Sequence, residues 1–191
     1  MNVVGLLLAA GAGRRFGADK LAHALPHDVP IAVQALRHLK AELPRVVAVV
    51  RPGSGVADAL HAEGAEVRVC ENADEGMGAS LACAVRGAGA ADAYVVALGD
   101  MPFIRASTIA AVRDALAAGA ALAAPYFRAR RGHPVGLAGR FRGELEALSG
   151  DEGARRLLER HGAALVKVPV GDPGVLRDID TPGDLAPPIV V

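Results

Sequence analysis

Apolar residues in this chain fall in short unbroken runs, separated by stretches with helical spacing. Residues 3–10 are apolar at nearly every position, as in a strand covered on both faces rather than one. Residues 31–43 then place Ile31, Ala35, Leu36 and Leu39 on one side of a helix, which Pro44 closes. A second apolar run, 46–50, ends at Arg51 and Pro52. The spacing predicts a short helix over 56–61, a strand over 66–70 and another helix over 80–87. Residues 93–98 read as a buried strand stopped by Gly99 and Asp100, followed by a helix over 108–118 and a strand over 121–126.

Short apolar strands alternating with helices imply βαβ units. The expected fold class is therefore α/β, a Rossmann-like, open, mostly parallel sheet with helices on both faces. From about residue 127 the pattern turns polar and basic with turn signals, then resumes with two short helices over 144–148 and 153–160. A strand over 165–170 and a loop entering a short helix over 178–185 complete the pattern. No repeat, linker or boundary interrupts residues 1–191, which are expected to form one domain.

Composition narrows the function classes. The 191 residues carry 21 Lys+Arg against 21 Asp+Glu, and that balance argues against gripping a nucleic-acid backbone or an anionic membrane. A small basic pocket for one phosphorylated ligand remains compatible with it. The 52% hydrophobic content owes much to 40 alanines, and no stretch approaches the roughly 18–20 uncharged apolar residues of a spanning helix. No charged n-region precedes the first apolar run, so a secreted precursor is not expected. Two cysteines, Cys70 and Cys83, make neither a disulfide framework nor a metal cluster and are expected to be buried thiols. The chain reads as a soluble cytoplasmic protein.

Candidate chemistry gathers where the strands end. In open parallel sheets, ligands bind at the carboxyl ends of strands, where loops meet helix N-termini. Leu8, Ala9, Ala10, Gly11, Ala12 and Gly13 close the first strand and open a glycine turn that runs on through Arg14 to Lys20. Glycines let the backbone aim its N–H groups at phosphate oxygens, and Arg14 and Lys20 add the cations a triphosphate needs. The dinucleotide fingerprint fails because its third glycine slot holds Phe16. The P-loop pattern fails because no Gly-Lys-Ser/Thr follows.

Asp100 sits at the tip of the central strand and shares the same crevice. A hard carboxylate there suits Mg²⁺ holding substrate phosphates, although a turn or N-cap duty fits the residue equally. Near the end of the chain, Thr181 and Pro182 read as a helix start, with Thr181 as the cap. Asp178 and Asp180 are then left as spare carboxylates for a metal. Asp151 reads as a cap for the helix over 153–160.

Taken together, these residues resemble the MobA-like nucleotidyltransferases, and among them the molybdenum cofactor cytidylyltransferases of the MocA type. The turn from Leu8 to Lys20 fits the family's opening, with Phe16 where Met is usual. Asn72, Gly76, Met77, Gly78, Ser80 and Leu81 look like its second motif, and Leu98 to Pro102 its metal motif. Gly132-His133-Pro134 and the stretch from Leu148 to Arg155 resemble its acceptor-side motifs, and Asp178 to Pro182 its closing motif.

The resemblance implies a GT-A-like nucleotidyltransferase in which Arg14, Lys20 and Asp100 act in catalysis. It places Leu8 to Gly13, Arg14, Lys20, Asn72, Gly76, Met77 and Ser80 on the nucleotide. It further assigns Mg²⁺ to Asp100 with Asp178 or Asp180, and the acceptor to His133 and Arg155 in the part from about 127 to 191. Ala10 leans the base toward CTP, because Ala-Ala-Gly accompanies cytidine in the family. A molybdopterin-type phosphate would be the acceptor, and a molybdoenzyme or its chaperone a partner. Use of GTP, a sugar-phosphate or other acceptor, and a non-catalytic nucleotide-binding chaperone remain alternatives at this point.

Overall fold

The computed structural model describes residues 1–11, 13, 16, 19–151 and 153–185. The first strand, β1 (Val3–Ala9), is buried at every position, as its unbroken apolar run requires. After it come the short strands β2 (Ala24–Leu25) and β3 (Val29–Pro30), which pair as a small antiparallel hairpin, and helix α1 (Ile31–Glu42). Next are β4 (Val46–Val50), α2 (Ala57–Ala62), β5 (Glu66–Val69), α3 (Met77–Ala88), β6 (Ala93–Leu98) and α4 (Ala106–Ala117). The remaining elements are β7 (Leu122–Phe127), β8 (Arg130–Arg131), β9 (Val135–Ala138), α5 (Arg142–Glu146), α6 (Arg155–Arg160) and β10 (Leu165–Pro169).

Seven strands lie in the order β10-β7-β9-β6-β1-β4-β5, with β8 as an eighth on the edge of β7. β1 pairs parallel with β4 and β6, β4 with β5, and β10 with β7. Among the described residues, only β9, antiparallel to both β6 and β7, and the two-residue β8 break the parallel run of this sheet. The chain moves outward from β1 through β4 to β5 and returns on the other side of β1 as β6. That reversal opens a crevice beyond the carboxyl ends of β1 and β6.

Strand residues alternate between two cores. Leu7, Ala9, Ala48, Val50, Val95 and Ala97 face α1, α2 and α4. Leu6, Leu8, Val47, Val49, Tyr94 and Val96 face α3, α5 and α6. Both faces of the sheet are covered, which explains why these strands carry no polar alternation. No helix among the described residues is long and apolar enough to cross a membrane.

Three local expectations need correction. The helix expected over 80–87 begins earlier, at Met77, because its first turn is held by tertiary contact rather than by propensity. Thr181 does not cap by accepting a hydrogen bond. Instead Asp184 Oδ2 accepts from the backbone N–H groups of Asp180 and Thr181 and from the Thr181 hydroxyl, at 3.2, 2.8 and 2.8 Å. Asp151 does not cap α6, whose N-cap is Ala154 with no side-chain hydrogen bond. Of the two cysteines, Cys70 is buried and Cys83 half-buried. Burial pushes the Cys70 thiol up to about 11.

A buried carboxylate holds the far part of the chain to α4. Asp172, 3% exposed, accepts from the Arg105 N–H at 2.9 Å, the Thr108 hydroxyl at 2.8 Å and the Gly174 N–H at 3.0 Å. It therefore caps from a distance a helix whose own N-cap, Arg105, supplies no side-chain bond. Asp172→Ala would strand these donors and is expected to cost about 2–4 kcal/mol, read as a lower midpoint in urea unfolding.

His38 on α1 gives the fold a pH dependence. Burial holds its imidazole below the ordinary 6.5, against raising contributions from Ile104 and Asp172. Its Nε2 accepts from Gln34 Nε2 at 2.7 Å, a bond that needs that nitrogen unprotonated. As pH falls, the unfolded chain takes up the His38 proton first, so stability contributed by this site is lost below about 6.5. Thermal midpoints measured from pH 7 to 5 should fall less steeply in His38→Gln than in the parent.

Candidate functional site

A cavity of about 760 Å³ opens beyond the carboxyl ends of β5, β4, β1 and β6. Each strand contributes the residues that immediately follow or end it: Glu71 after β5, Arg51 and Pro52 after β4, Ala10 and Gly11 after β1, Leu98 and Asp100 at β6. The start of α3 adds Gly76, Met77 and Ser80. Because strand side chains alternate, Leu8 and Ala10 line this space while Ala9 is packed in the opposite core. Gly13 has φ +57°, a left-handed conformation that glycine adopts without strain, and its carbonyl accepts the Phe16 N–H at 2.9 Å. Ala12 and Arg14 lie outside the described residues.

Lys20 is brought into the site by the chain on either side of it. Asp19 Oδ2 accepts from the Gly55 N–H at 3.0 Å, tying this segment to the loop after β4. Lys20 then opens a short 3-10 turn, Lys20–Ala22, that buries Leu21. The Lys20 ammonium donates to Asp100 Oδ2 at 2.9 Å and to Asp180 Oδ1 at 3.3 Å. Burial pulls its pKa down, but Asp100 and then Asp180 outweigh this, and the net direction is upward.

The closing acids reach Asp100 because of the residue between them. Ile179 is fully buried with Phe16, Leu25 and Ile31, and its N–H donates to the Asp100 carbonyl at 2.9 Å. Carboxylate oxygens of Asp100, Asp178 and Asp180, one from each, all lie within 4.8 Å of one another. This all-oxygen set fits a hard divalent cation, and the Lys20 ammonium already stands among its members as a cation would. Asp100, Asp178 and Asp180 would hold such an ion.

His133 lies on the same side of the site. Its N–H donates to the Val175 carbonyl at 3.0 Å, and its ring is half-buried. Burial holds the imidazole below its ordinary value, with Asp100 and Asp178 pulling it up and Arg131 down. Those influences place His133 within electrostatic reach of the acidic cluster.

The other sequence candidates separate. Met77 is exposed and lines the cavity, and the Ser80 hydroxyl donates to the Gly76 carbonyl at 3.2 Å. Asn72 is exposed and bonded to Cys70 and Glu75 rather than lining the cavity. Arg155 projects from α6 into solvent, pairs with Glu159 at 2.8 Å and lines neither this cavity nor the neighbouring one between α5 and α6.

Sequence reasoning missed Arg51, Glu71, Asp74 and Asp151 as wall residues. The first two carried a usable signal, since each directly follows the run of a parallel strand. Asp151 arrives by packing alone: the turn at 149–151 sits on the start of α3, where Gly78 donates to the Gly150 carbonyl at 2.6 Å. A Cβ at Gly78 would stand 2.5 Å from the Ser149 carbonyl oxygen, so the close approach needs glycine.

The chain is similar to known proteins over most of its length. Residues 5–165 match the MobA-like NTP transferase domain. Purine catabolism protein PucB of Bacillus subtilis (strain 168) is 32% identical over 192 residues, covering 94% of this chain and 92% of PucB. The crystal structure of Rv0371c from Mycobacterium tuberculosis H37Rv superposes with a TM-score of 0.81 at 27% identity, over 96% of this chain and 95% of that one. A second structure, of Rv0371C in complex with manganese, superposes at 0.77 with 26% identity, over 96% of each chain. A domain match across residues 5–165 and a relative 32% identical over 94% of the chain show that it belongs to the MobA-like nucleotidyltransferase family.

Proposed function

We propose that the protein transfers CMP from CTP to the terminal phosphate of molybdenum cofactor, releasing pyrophosphate, with Mg²⁺ as its metal. The observation that carries this reading is the meeting of Lys20, at the end of the glycine turn, with Asp100 and Asp180, 80 and 160 residues away along the chain. Lys20 and Asp100 line a nucleotide-sized cavity, and Asp178 and Asp180 stand beside Asp100, a set suited to phosphoryl chemistry.

The nucleoside would enter between Leu8, Ala10, Met77 and Ser80, with its phosphates along Gly11 and Lys20. An oxygen of the acceptor phosphate attacks the α-phosphorus; the new O–P bond forms as the bond to the β-phosphate oxygen breaks, and pyrophosphate leaves. Lys20 neutralises charge on the triphosphate, while the surrounding walls hold attacking and leaving oxygens in line. Bound Mg²⁺ would supply further charge neutralisation on phosphate oxygens. No side-chain nucleophile is needed, because the acceptor brings its own.

Arg14 is assigned to the phosphates on the family pattern. Cytidine is assigned on Ala10, which lines the cavity and belongs to the Ala-Ala-Gly opening that accompanies cytidine in the family. His133, half-buried beside the acidic cluster, is the acceptor-side contact best supported by position. Arg155 keeps that role only if it leaves Glu159. The relative PucB is named a purine catabolism protein, which supports purine breakdown as the setting; the recipient in this reading is a molybdoenzyme, or its chaperone.

Mass spectrometry of molybdenum cofactor after incubation with protein, Mg²⁺ and CTP tests the proposal. The cofactor should gain the mass of one cytidylyl group, that of CMP less one water. A cofactor left unchanged, while GTP yields a GMP adduct, would reassign the base.

A further inference from the structure

We infer that Lys20 has a second role, as the resident counter-ion of the metal site, and that its displacement couples metal binding to nucleotide binding. The inference rests on the metal-site part of the proposed function.

Lys20 is 7% exposed, although a lysine unconstrained by neighbours would extend into water. Its ammonium is held by two carboxylates 80 residues apart in the chain, Asp100 at 2.9 Å and Asp180 at 3.3 Å. The same two carboxylates, with Asp178, form the set that would hold a divalent ion. An ammonium and a divalent cation seated on the same carboxylates compete for them, since two like charges held so close repel.

Without a ligand, Lys20 satisfies the acids, keeps three carboxylates from repelling one another and weakens their hold on a free metal ion. A triphosphate offers Lys20 a denser negative charge within reach of the same turn. Once Lys20 moves to the phosphates, its charge no longer competes with the metal for Asp100 and Asp180. Metal brought with a nucleotide is thereby favoured over metal alone, which disfavours idle occupation of the site. Lys20 is a positioning residue in this role, distinct from its contact with phosphate during transfer.

Binding of Mn²⁺ alone, followed by calorimetry or by the spectrum of the free ion, tests this without any turnover. Lys20→Met keeps the stem and removes the competing charge, and it should bind Mn²⁺ tighter than the parent by about tenfold, within the range of coupled sites. Lys20→Arg should bind no tighter than the parent. Equal or weaker Mn²⁺ binding by a folded Lys20→Met overturns the inference while leaving the metal site in place. No Mn²⁺ binding by either protein overturns both.

The parent protein offers a second test that does not depend on the variant folding. Acylation of Lys20 by an amine-reactive ester, read by mass spectrometry, should rise several-fold when Mn²⁺ saturates the site. Labelling unchanged by Mn²⁺ contradicts displacement.

Discussion

Asp100→Ala is expected to lower turnover by about a thousandfold or more, the scale of losing several kcal/mol of charge stabilisation at the reacting phosphates. Of Asp100, Asp178 and Asp180, Asp100 is the one that also lines the cavity, so under the proposed function it would link the metal position to the α-phosphate. The fold should tolerate the change. The backbone bond from Ile179 goes to the Asp100 carbonyl, not to its side chain, and the other carboxylate bonded to Lys20, Asp180, remains. Circular dichroism and a thermal midpoint within a few degrees of the parent should accompany the lost activity, since a partly exposed ion pair is worth about 1 kcal/mol. Near-parental turnover in this variant would show that Asp100 is not at the reacting centre.

Lys20→Ala is expected to lower kcat/KM by about a hundredfold to a thousandfold, the range for removing one preorganised donor to transition-state charge. Part of the loss should fall on kcat, because charge on the leaving pyrophosphate grows as its bond to the α-phosphorus breaks. The same substitution removes the competitor for the carboxylates, so affinity for free Mn²⁺ and catalytic rate should move in opposite directions. A purely structural lysine would depress both. Steady-state kinetics beside metal titration on one preparation separates these cases.

Much of the fold was legible because its central strands are buried on both sides. Continuous apolar runs such as those of β1, β4 and β6 have few other folded fates at strand length. The strand β9 was not predicted, being only four residues long, Val-Gly-Leu-Ala, after a basic turn. Its antiparallel insertion between β6 and β7 is a property of the sheet, not of the segment. The first turn of α3 was hidden by Gly76 and Gly78, poor helix formers whose place is justified only by the 149–151 turn lying against them.

The site was legible to the extent that its chemistry stands at strand ends. Lys20, Asp100 and Asp180 meet as their residue types and positions implied, and Asp178 joins them. Asp74 and Asp151 carried no such signal, since a polar residue in a loop away from a strand end acquires meaning only once the chain packs around it. Arg155 shows the converse. Its motif position suggested a ligand contact, while its spacing from Glu159 already allowed the helical ion pair that it makes.

The central claim, CMP transfer to molybdenum cofactor, is tested most directly by pyrophosphate release in the presence of Mg²⁺, comparing CTP, GTP, ATP and UTP with and without the cofactor. The account predicts release with CTP alone, and only when the cofactor is present. Cofactor-dependent release with GTP instead, or no release with any nucleotide by protein that binds CTP, would contradict it.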